Sequence, residues 1–277
     1  MKKFPFLHLL LFILTLISTL IAGALQSGIN ILEEPGKIYK GFPFAITLMT
    51  ILLSHELSHY FASKKHKTKA TLPYFIPAPT IIGTFGAFIK MKSPIITRRA
   101  LMDIGAAGPV VGFIFSLIFS IIGLSFSEVV AIKNTEGALS LGNSILFSFL
   151  SDIILDYQHG SQDILLHPVA FAGWIGLFVT SLNLIPVGQL DGGHIVYALM
   201  GERHFYISNL LIVIMIFLGL WLWEGWAIWA LLLLILGLRH PPVLYWELSL
   251  GFKRKFIGWF SFGIFILTFT PVPFKIL

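Results

Sequence analysis

The stretch Ile51-Leu52-Leu53-Ser54-His55-Glu56-Leu57-Ser58-His59-Tyr60 carries His-Glu-x-x-His inside an apolar run from Gly41 to Ala62. On a helix, residues four apart share a face, so the rings of His55 and His59 stack one turn apart. That spacing lets two imidazoles bind one Zn²⁺, each at about 2.0–2.1 Å. Glu56, directly after the first histidine, is placed to act as general base on a water at the metal. The five-residue pattern alone is short. Its setting adds weight, because each ionisable group at bilayer depth costs about 2.5–3.5 kcal/mol on insertion scales. The alternative is a helix end whose histidines cap carbonyls at the membrane interface.

A third ligand is sought downstream. The segment Asn183-Leu184-Ile185-Pro186-Val187-Gly188-Gln189-Leu190-Asp191-Gly192-Gly193-His194 interrupts a later apolar helix with a proline and three glycines. Asp191 is the only acid between Asp163 and Glu202, which makes it the natural candidate. It would also serve as N-cap for a helix over Ile195–Met200. His194 reads as a side chain facing water, or else as a group orienting Asp191. His66 reads as solvated, and His167, His204 and His240 as interfacial side chains at span ends.

The elements that must position these residues are membrane helices. The chain has 277 residues, 56% hydrophobic and only 12% charged, with a mean hydropathy of +0.88. Soluble domains average about a quarter charged, so this composition describes a polytopic membrane protein. There is no cysteine, so any zinc must be held by His, Asp or Glu.

Apolar segments fall at Phe6–Leu25, Gly41–Ala62, Ile104–Phe126, His167–Pro186, Ile207–Trp223, Trp226–Leu238 and Phe256–Val272. The first is longer than the core of a signal peptide, although Ala22-Gly23-Ala24 fits a cleavage site, and it reads as a retained anchor. The Trp226 segment is short and crosses obliquely or only dips in. Between the second and third spans, Thr71 to Lys90 is apolar but holds Pro73, Pro77, Pro79, Gly83 and Gly86, which forbid an unbroken helix. Ile81–Lys90 is rich in β-branched and aromatic residues and reads as extended chain. Two such arms form a re-entrant hairpin, with a plain interfacial loop as the alternative. An unpaired edge there is a place where a substrate could add as a strand. Gly108 and Gly112, four apart, suit close helix packing. The expected fold is thus an all-α polytopic membrane protein of about six to seven transmembrane helices with a re-entrant β-hairpin-like segment. Its divisions are an anchor and outer loop over 1–40, a catalytic membrane core over 41–200, and C-terminal membrane helices over 201–277.

The charge of +6 is spent on topology. With the N-terminus inside, only Lys37, Lys40, Lys133 and Lys275 of the 19 Lys and Arg residues fall outside, as the positive-inside rule requires. A nucleic-acid role drops out. The same count places the ends of the second and fourth spans on one side, so His55, Glu56, His59 and Asp191 converge near the cytoplasmic face. The absence of a recognisable transit peptide favours a prokaryotic plasma (inner) membrane. A metal-ion transporter or channel using the same ligands, and an inactive scaffold, are the rival readings.

These residues resemble the site-2 protease family of intramembrane zinc metalloproteases. The likeness is carried by His55-Glu56-Leu57-Ser58-His59, Asn183-Leu184-Ile185-Pro186 and Leu190-Asp191-Gly192-Gly193. It extends through Pro73-Tyr74-Phe75-Ile76-Pro77, Gly83-Thr84-Phe85-Gly86 and Ala107-Gly108-Pro109, and is strongest to the branch with chloroplast and cyanobacterial members. The resemblance implies regulated cleavage within transmembrane segments of membrane-protein substrates. It also implies one Zn²⁺ per chain on His55, His59 and Asp191, with Glu56 as base. Asn183 would lie near the scissile backbone, and Gly83, Thr84, Phe85 and Gly86 would present an extended substrate.

Overall fold

The computed structural model describes residues 5–131, 139–157, 160–246 and 248–276. Lys2, Lys3 and Lys133, used in the charge count, lie outside the described residues.

The first helix, α1, runs Phe6–Gln26. At about 1.5 Å per residue it is about 31 Å long, the thickness of a bilayer core. A 3₁₀ turn over Pro35–Gly41 leads into α2, Phe42–Lys65, which carries the His-Glu-x-x-His pattern in its last third. Two short strands follow, β1 (Tyr74–Pro77) and β2 (Thr84–Phe88), paired antiparallel with Tyr74 opposite Phe88 and Pro77 opposite Thr84. This is the expected hairpin, and its second arm is shorter than the extended stretch read from the sequence. Gly83 turns the chain at φ +80°, with no room for a Cβ against the Ser18 carbonyl of α1.

Helix α3, Arg98–Leu124, starts at Thr97, whose hydroxyl accepts from the Ala100 amide. Next come β3 (Glu128–Ala131), β4 (Leu139–Leu141), α4 (Ile145–Ile154) and β5 (Gln162–Leu165). The core helix α5, Pro168–Asn183, is followed by α6, Asp191–Met200, and α7, His204–Trp221. Two further helices, α8 (Gly225–Leu236) and α9 (Gly251–Thr268), precede a last strand, β6 (Phe274–Ile276). Strands β3 and β5 pair antiparallel, as do β4 and β6. These two ladders were not anticipated. Ser127–Leu166 is the longest polar stretch of the sequence, and strands of only three or four residues leave no period in it.

The protein is mostly helical. Among the described residues, four helical runs are long and apolar enough to cross a membrane: Phe6–Gln26, Pro35–Lys65, Arg98–Leu124 and Asp191–Trp221. Helices α1, α7, α8 and α9 expose many large apolar side chains, among them Leu10, Ile17, Leu210, Phe217, Ile235 and Phe260. Such continuous apolar exposure fits lipid as the surrounding medium.

Helix α3 packs at close range on both α2 and α5, which also touch each other. A Cβ on Gly176 of α5 would meet the Ser116 hydroxyl of α3 and the Ile51 side chain of α2, and one on Gly173 would meet the backbone of Ser120. Small residues let backbones approach where lipid gives no hydrophobic drive for helix association. Around these three helices lie an apolar cluster including Phe44, Leu48, Trp174 and Ile175, a second built on Leu101, Met102, Ile195 and Ile264, and a third on Phe178, Ile212, Met215 and Trp226.

One end of the bundle is basic. It holds Lys64, Lys65, Lys67, Lys69, Lys90, Lys92 and the start of α3. His66 is not free in solvent there, contrary to the sequence reading. Its Nε2 lies 2.8 Å from Asp103 Oδ2, and Arg254 grips the same carboxylate through Nε at 2.7 Å and Nη2 at 2.8 Å. The expectation failed because Asp103 and Arg254 come from distant helices.

Candidate metal centre

Helix α2 aims His55 and His59 toward α3 and α5, where both are buried along with Glu56. Room for the two rings comes from α3. The position a Cβ would take on Gly108 is 2.1 Å from His59 Nε2, and on Gly112 it is 2.8 Å from His55 Nδ1. The two glycines therefore do more than bring helices together: they vacate the space the imidazoles fill. Pro109 follows Gly108 and has no N–H to give the carbonyl of Gly105. One residue earlier, the Ile104 carbonyl lies 2.7 Å from His59 Nδ1. With Nδ1–H donating there, Nε2 of His59 presents a lone pair.

That lone pair faces two other acceptors. His55 Nε2 is 3.1 Å from His59 Nε2, and Asp191 Oδ2 lies 3.2 Å from His59 Nε2 and 3.3 Å from His55 Nε2. These three ligand atoms form a group able to hold a metal ion. Tetrahedral bonds of about 2.0–2.1 Å set ligand atoms about 3.3–3.4 Å apart, so the spacing and the donor set both fit zinc.

Asp191 is not the N-cap of its helix. Leu190 holds that position, no side chain caps the helix, and the Asp191 carboxylate turns to the two histidines. The capping alternative fails because the helix starts four residues earlier than the sequence suggests. Asn183, the last residue of α5, brings Nδ2 to 3.4 Å from His55 Nε2. Glu56 faces the backbone amide of Ile89, just past the end of β2.

The residues Gly83–Gly86 lie at the other end of β2, by the turn. The Gly83 carbonyl accepts from Ser18 Oγ at 2.6 Å, and Thr84 Oγ1 donates to the Ile76 carbonyl at 2.8 Å. Phe85 is exposed, and Gly86 has open space beside it at φ +96°. Two sizeable cavities lie elsewhere. One of about 770 Å³ sits between α1 and the hairpin turn, and one of about 730 Å³ is lined by β3, β4, β5 and their neighbours.

His194 contradicts its sequence reading. Instead of facing water or bonding to Asp191, its Nδ1 lies 2.6 Å from Nε2 of His240. His204, at the start of α7, is buried and paired with Ser208 Oγ at 3.2 Å. Sequence reasoning also missed the Ile104 carbonyl and the Ile89 amide, since backbone partners leave no residue-type signal.

Fold and site together define a membrane-embedded bundle with a two-histidine, one-carboxylate metal group beside a buried glutamate. The family model described as "Peptidase family M50" matches residues 43–222, and the chain belongs to that family. This bears out the resemblance to site-2 proteases. The protein named "Probable zinc metalloprotease EGY1, chloroplastic" from Arabidopsis thaliana is 34% identical over 239 residues, covering 83% of this chain and 43% of that protein. Its namesake from Oryza sativa subsp. japonica is 34% identical over 175 residues, covering 60% of this chain and 29% of that protein. "Probable zinc metalloprotease EGY2, chloroplastic" from Arabidopsis thaliana is 32% identical over 164 residues, covering 59% and 29%. The chain thus spans less than half the length of these relatives.

Proposed function

We propose that this chain is an intramembrane zinc metalloprotease that hydrolyses peptide bonds within transmembrane segments of membrane proteins. The observation that carries the reading is the convergence of His55, His59 and Asp191 beside Glu56 in a membrane bundle. The three would hold one Zn²⁺ per chain. When bound, zinc polarises the scissile carbonyl and brings the pKa of a coordinated water to about 7. Glu56 takes the proton of the attacking water and returns it to the leaving nitrogen. The Ile89 amide opposite holds the carboxylate before it takes the proton. Asn183 offers its side-chain amide to the backbone on either side of the scissile bond. His59 keeps one ring orientation through the Ile104 carbonyl.

A transmembrane helix hides its carbonyls in its own hydrogen bonds, so the substrate must unwind before it can be cut. We assign β2, with Gly83, Thr84, Phe85 and Gly86 at its far end, as the edge on which the unwound segment pairs. Helix α1 lies along the opposite side of the hairpin. His8 Nδ1 is 3.1 Å from the Pro73 carbonyl, Ser18 Oγ bonds to that of Gly83, and Gln26 Nε2 reaches that of Ile81 at 2.7 Å. The β2 edge leads toward Glu56 through Ile89.

Helices α1, α2, α3, α5, α7, α8 and α9 are proposed as the crossings, with 41–200 as the catalytic core between a 1–40 anchor and the 201–277 helices. The basic end would face the cytoplasm, which sets the metal group near that face.

The test is Glu56→Gln against wild type, with a tagged membrane-protein substrate in proteoliposomes. Cleavage should be lost while zinc content is kept. Equal cleavage by both proteins refutes the assignment, and zinc flux without cleavage would point to transport.

A further inference from the structure

Three glycines on one face of α3 each give up the volume of a side chain to a histidine. Gly108 and Gly112 do so for the ligands His59 and His55. Gly105 does so for His194, whose Cβ lies 2.8 Å from where a Cβ on Gly105 would stand, with the Asp191 carbonyl at 3.4 Å. His194 is therefore seated in the same row as the two ligands. It stands three residues after Asp191 on α6, on the same face.

A second observation ties His194 to a distant segment. Its Nδ1 is 2.6 Å from His240 Nε2, and His240 Nδ1 is 2.7 Å from the Pro241 carbonyl. A carbonyl can only accept, so the direction of the chain is fixed. His240 donates from Nδ1, accepts at Nε2, and His194 donates from Nδ1. The 2.6 Å separation is a hydrogen bond, being much shorter than the about 3.3 Å expected between two ligands of one metal. The His240 ring also stacks on Tyr197, one turn further along α6, with centroids 4.3 Å apart. The segment bearing His240 is itself anchored to α3. Tyr245 donates its amide to the Ile96 carbonyl at 3.0 Å, and Arg98 lies 4.4 Å over the Trp246 ring. His240, Pro241, Tyr245 and Trp246 all lie beyond residue 222, where the family match ends.

We propose that His194 and His240 form a positioning pair for the carboxylate ligand Asp191, so that metal affinity depends on the segment between α8 and α9. The physical route is short. No side chain caps the first turn of α6, so its placement rests on packing. The His194 side chain, its Cβ seated against Gly105 and its ring held by His240, keeps that turn against α3 with Asp191 directed at His55 and His59. The inference rests on the metal-site reading above. Partners that orient ligating groups typically contribute 10–100-fold in metal affinity, on the order of magnitude found for such outer contacts.

The experiment measures zinc affinity of the purified full chain in detergent micelles, by competition with a chromophoric chelator, with no protease readout needed. His240→Phe keeps the ring against Tyr197 and removes the acceptor. His240→Gln places an amide oxygen where Nε2 was. The expected result is zinc binding weakened about 10–100-fold in His240→Phe and close to wild type in His240→Gln, with cleavage by His240→Phe restored at saturating zinc. Equal affinity in wild type and His240→Phe overturns the proposal. Equal weakening in both variants also overturns it, since a side chain that keeps the acceptor would then do no better than one that lacks it, and the hydrogen bond would not set the affinity. A wild-type chain that binds no zinc refutes the metal site itself, which is a separate outcome.

Discussion

Adding one methyl group to α3 should expel the metal. In Gly108→Ala the new Cβ would stand 2.1 Å from His59 Nε2, 2.5 Å from its Cδ2 and 2.6 Å from its Cε1. Ordinary contact begins near 3.4 Å, so the ring edge must retreat by about 1.3 Å while metal–ligand distances tolerate only about 0.2 Å. The ring has little freedom to retreat, because its Nδ1 is held at 2.7 Å by the Ile104 carbonyl on the same helix as the intruding methyl. Moving α3 as a body is opposed by its close packing on α5, where a Cβ on Gly123 would stand 2.0 Å from the Ala170 amide. Overpacking of this kind costs about 1–3 kcal/mol, and loss of one ligand should weaken zinc binding by more than the about 100-fold upper range of outer-contact effects.

The assay compares zinc content, chelator competition and substrate cleavage for Gly108→Ala, Gly112→Ala and Gly263→Ala. Gly112→Ala meets His55 Nδ1 at 2.8 Å, a shortfall of about half that at Gly108, and should lose less. Gly263 on α9 has nothing within 4 Å, so its alanine variant isolates the gain in helix propensity of about 1 kcal/mol. Wild-type zinc affinity in Gly108→Ala, or a larger defect in Gly112→Ala, would refute the reasoning.

Lys67 has φ 56° just past the end of α2, a conformation that disfavours a side chain. Lys67→Gly should stabilise the protein by about 1 kcal/mol, read as a raised melting temperature in micelles with cleavage retained. Arg254→Gln removes a two-point grip on Asp103 and should destabilise on the order of 2 kcal/mol; a double-mutant cycle with Asp103→Asn should recover part of that loss. Burial pushes the His240 imidazole below its ordinary pKa, against the smaller opposite pull of the Pro241 carbonyl. A depressed folded-state pKa means the unfolded chain takes the proton first. Its contribution to stability is thus present above pH about 6.5 and is lost as pH falls toward the folded value. Thermal melts from pH 7.5 downward should show a steeper decline for wild type than for His240→Phe, and parallel curves would count against it.

The three residues of the proposed metal group were legible because each leaves a mark in residue type or spacing. His55 and His59 announce a shared helix face through their interval of four. Asp191 stands out because acids are costly in apolar surroundings, so a lone one invites a purpose. The hairpin was legible for a similar reason: prolines and glycines forbid helix where hydropathy alone would place one. The short ladders β3–β5 and β4–β6 gave no comparable signal. Strands of three or four residues have too few alternations for a period to emerge, and their partners lie far along the chain.

What stayed hidden at the site is everything held by backbone or by a distant side chain. Nothing in Ile104 as a residue type says that its carbonyl will orient His59. His194 reads as solvent-facing because a polar side chain after Asp-Gly-Gly ordinarily belongs to a loop. Its partner lies 46 positions away in the chain, in a stretch rich in proline with no helical or strand period. The glycine row on α3 was visible, yet Gly108 and Gly112 alone looked like a helix-packing motif. Only with Gly105 in place, and a histidine opposite each of the three, does the row become a mould for the site. Helix packing in lipid favours small residues wherever backbones meet. The same glycines that let α2 and α6 approach α3 are therefore the ones that leave room for imidazoles. In this chain, tight packing and the gathering of the histidines are two consequences of one stripe of missing side chains.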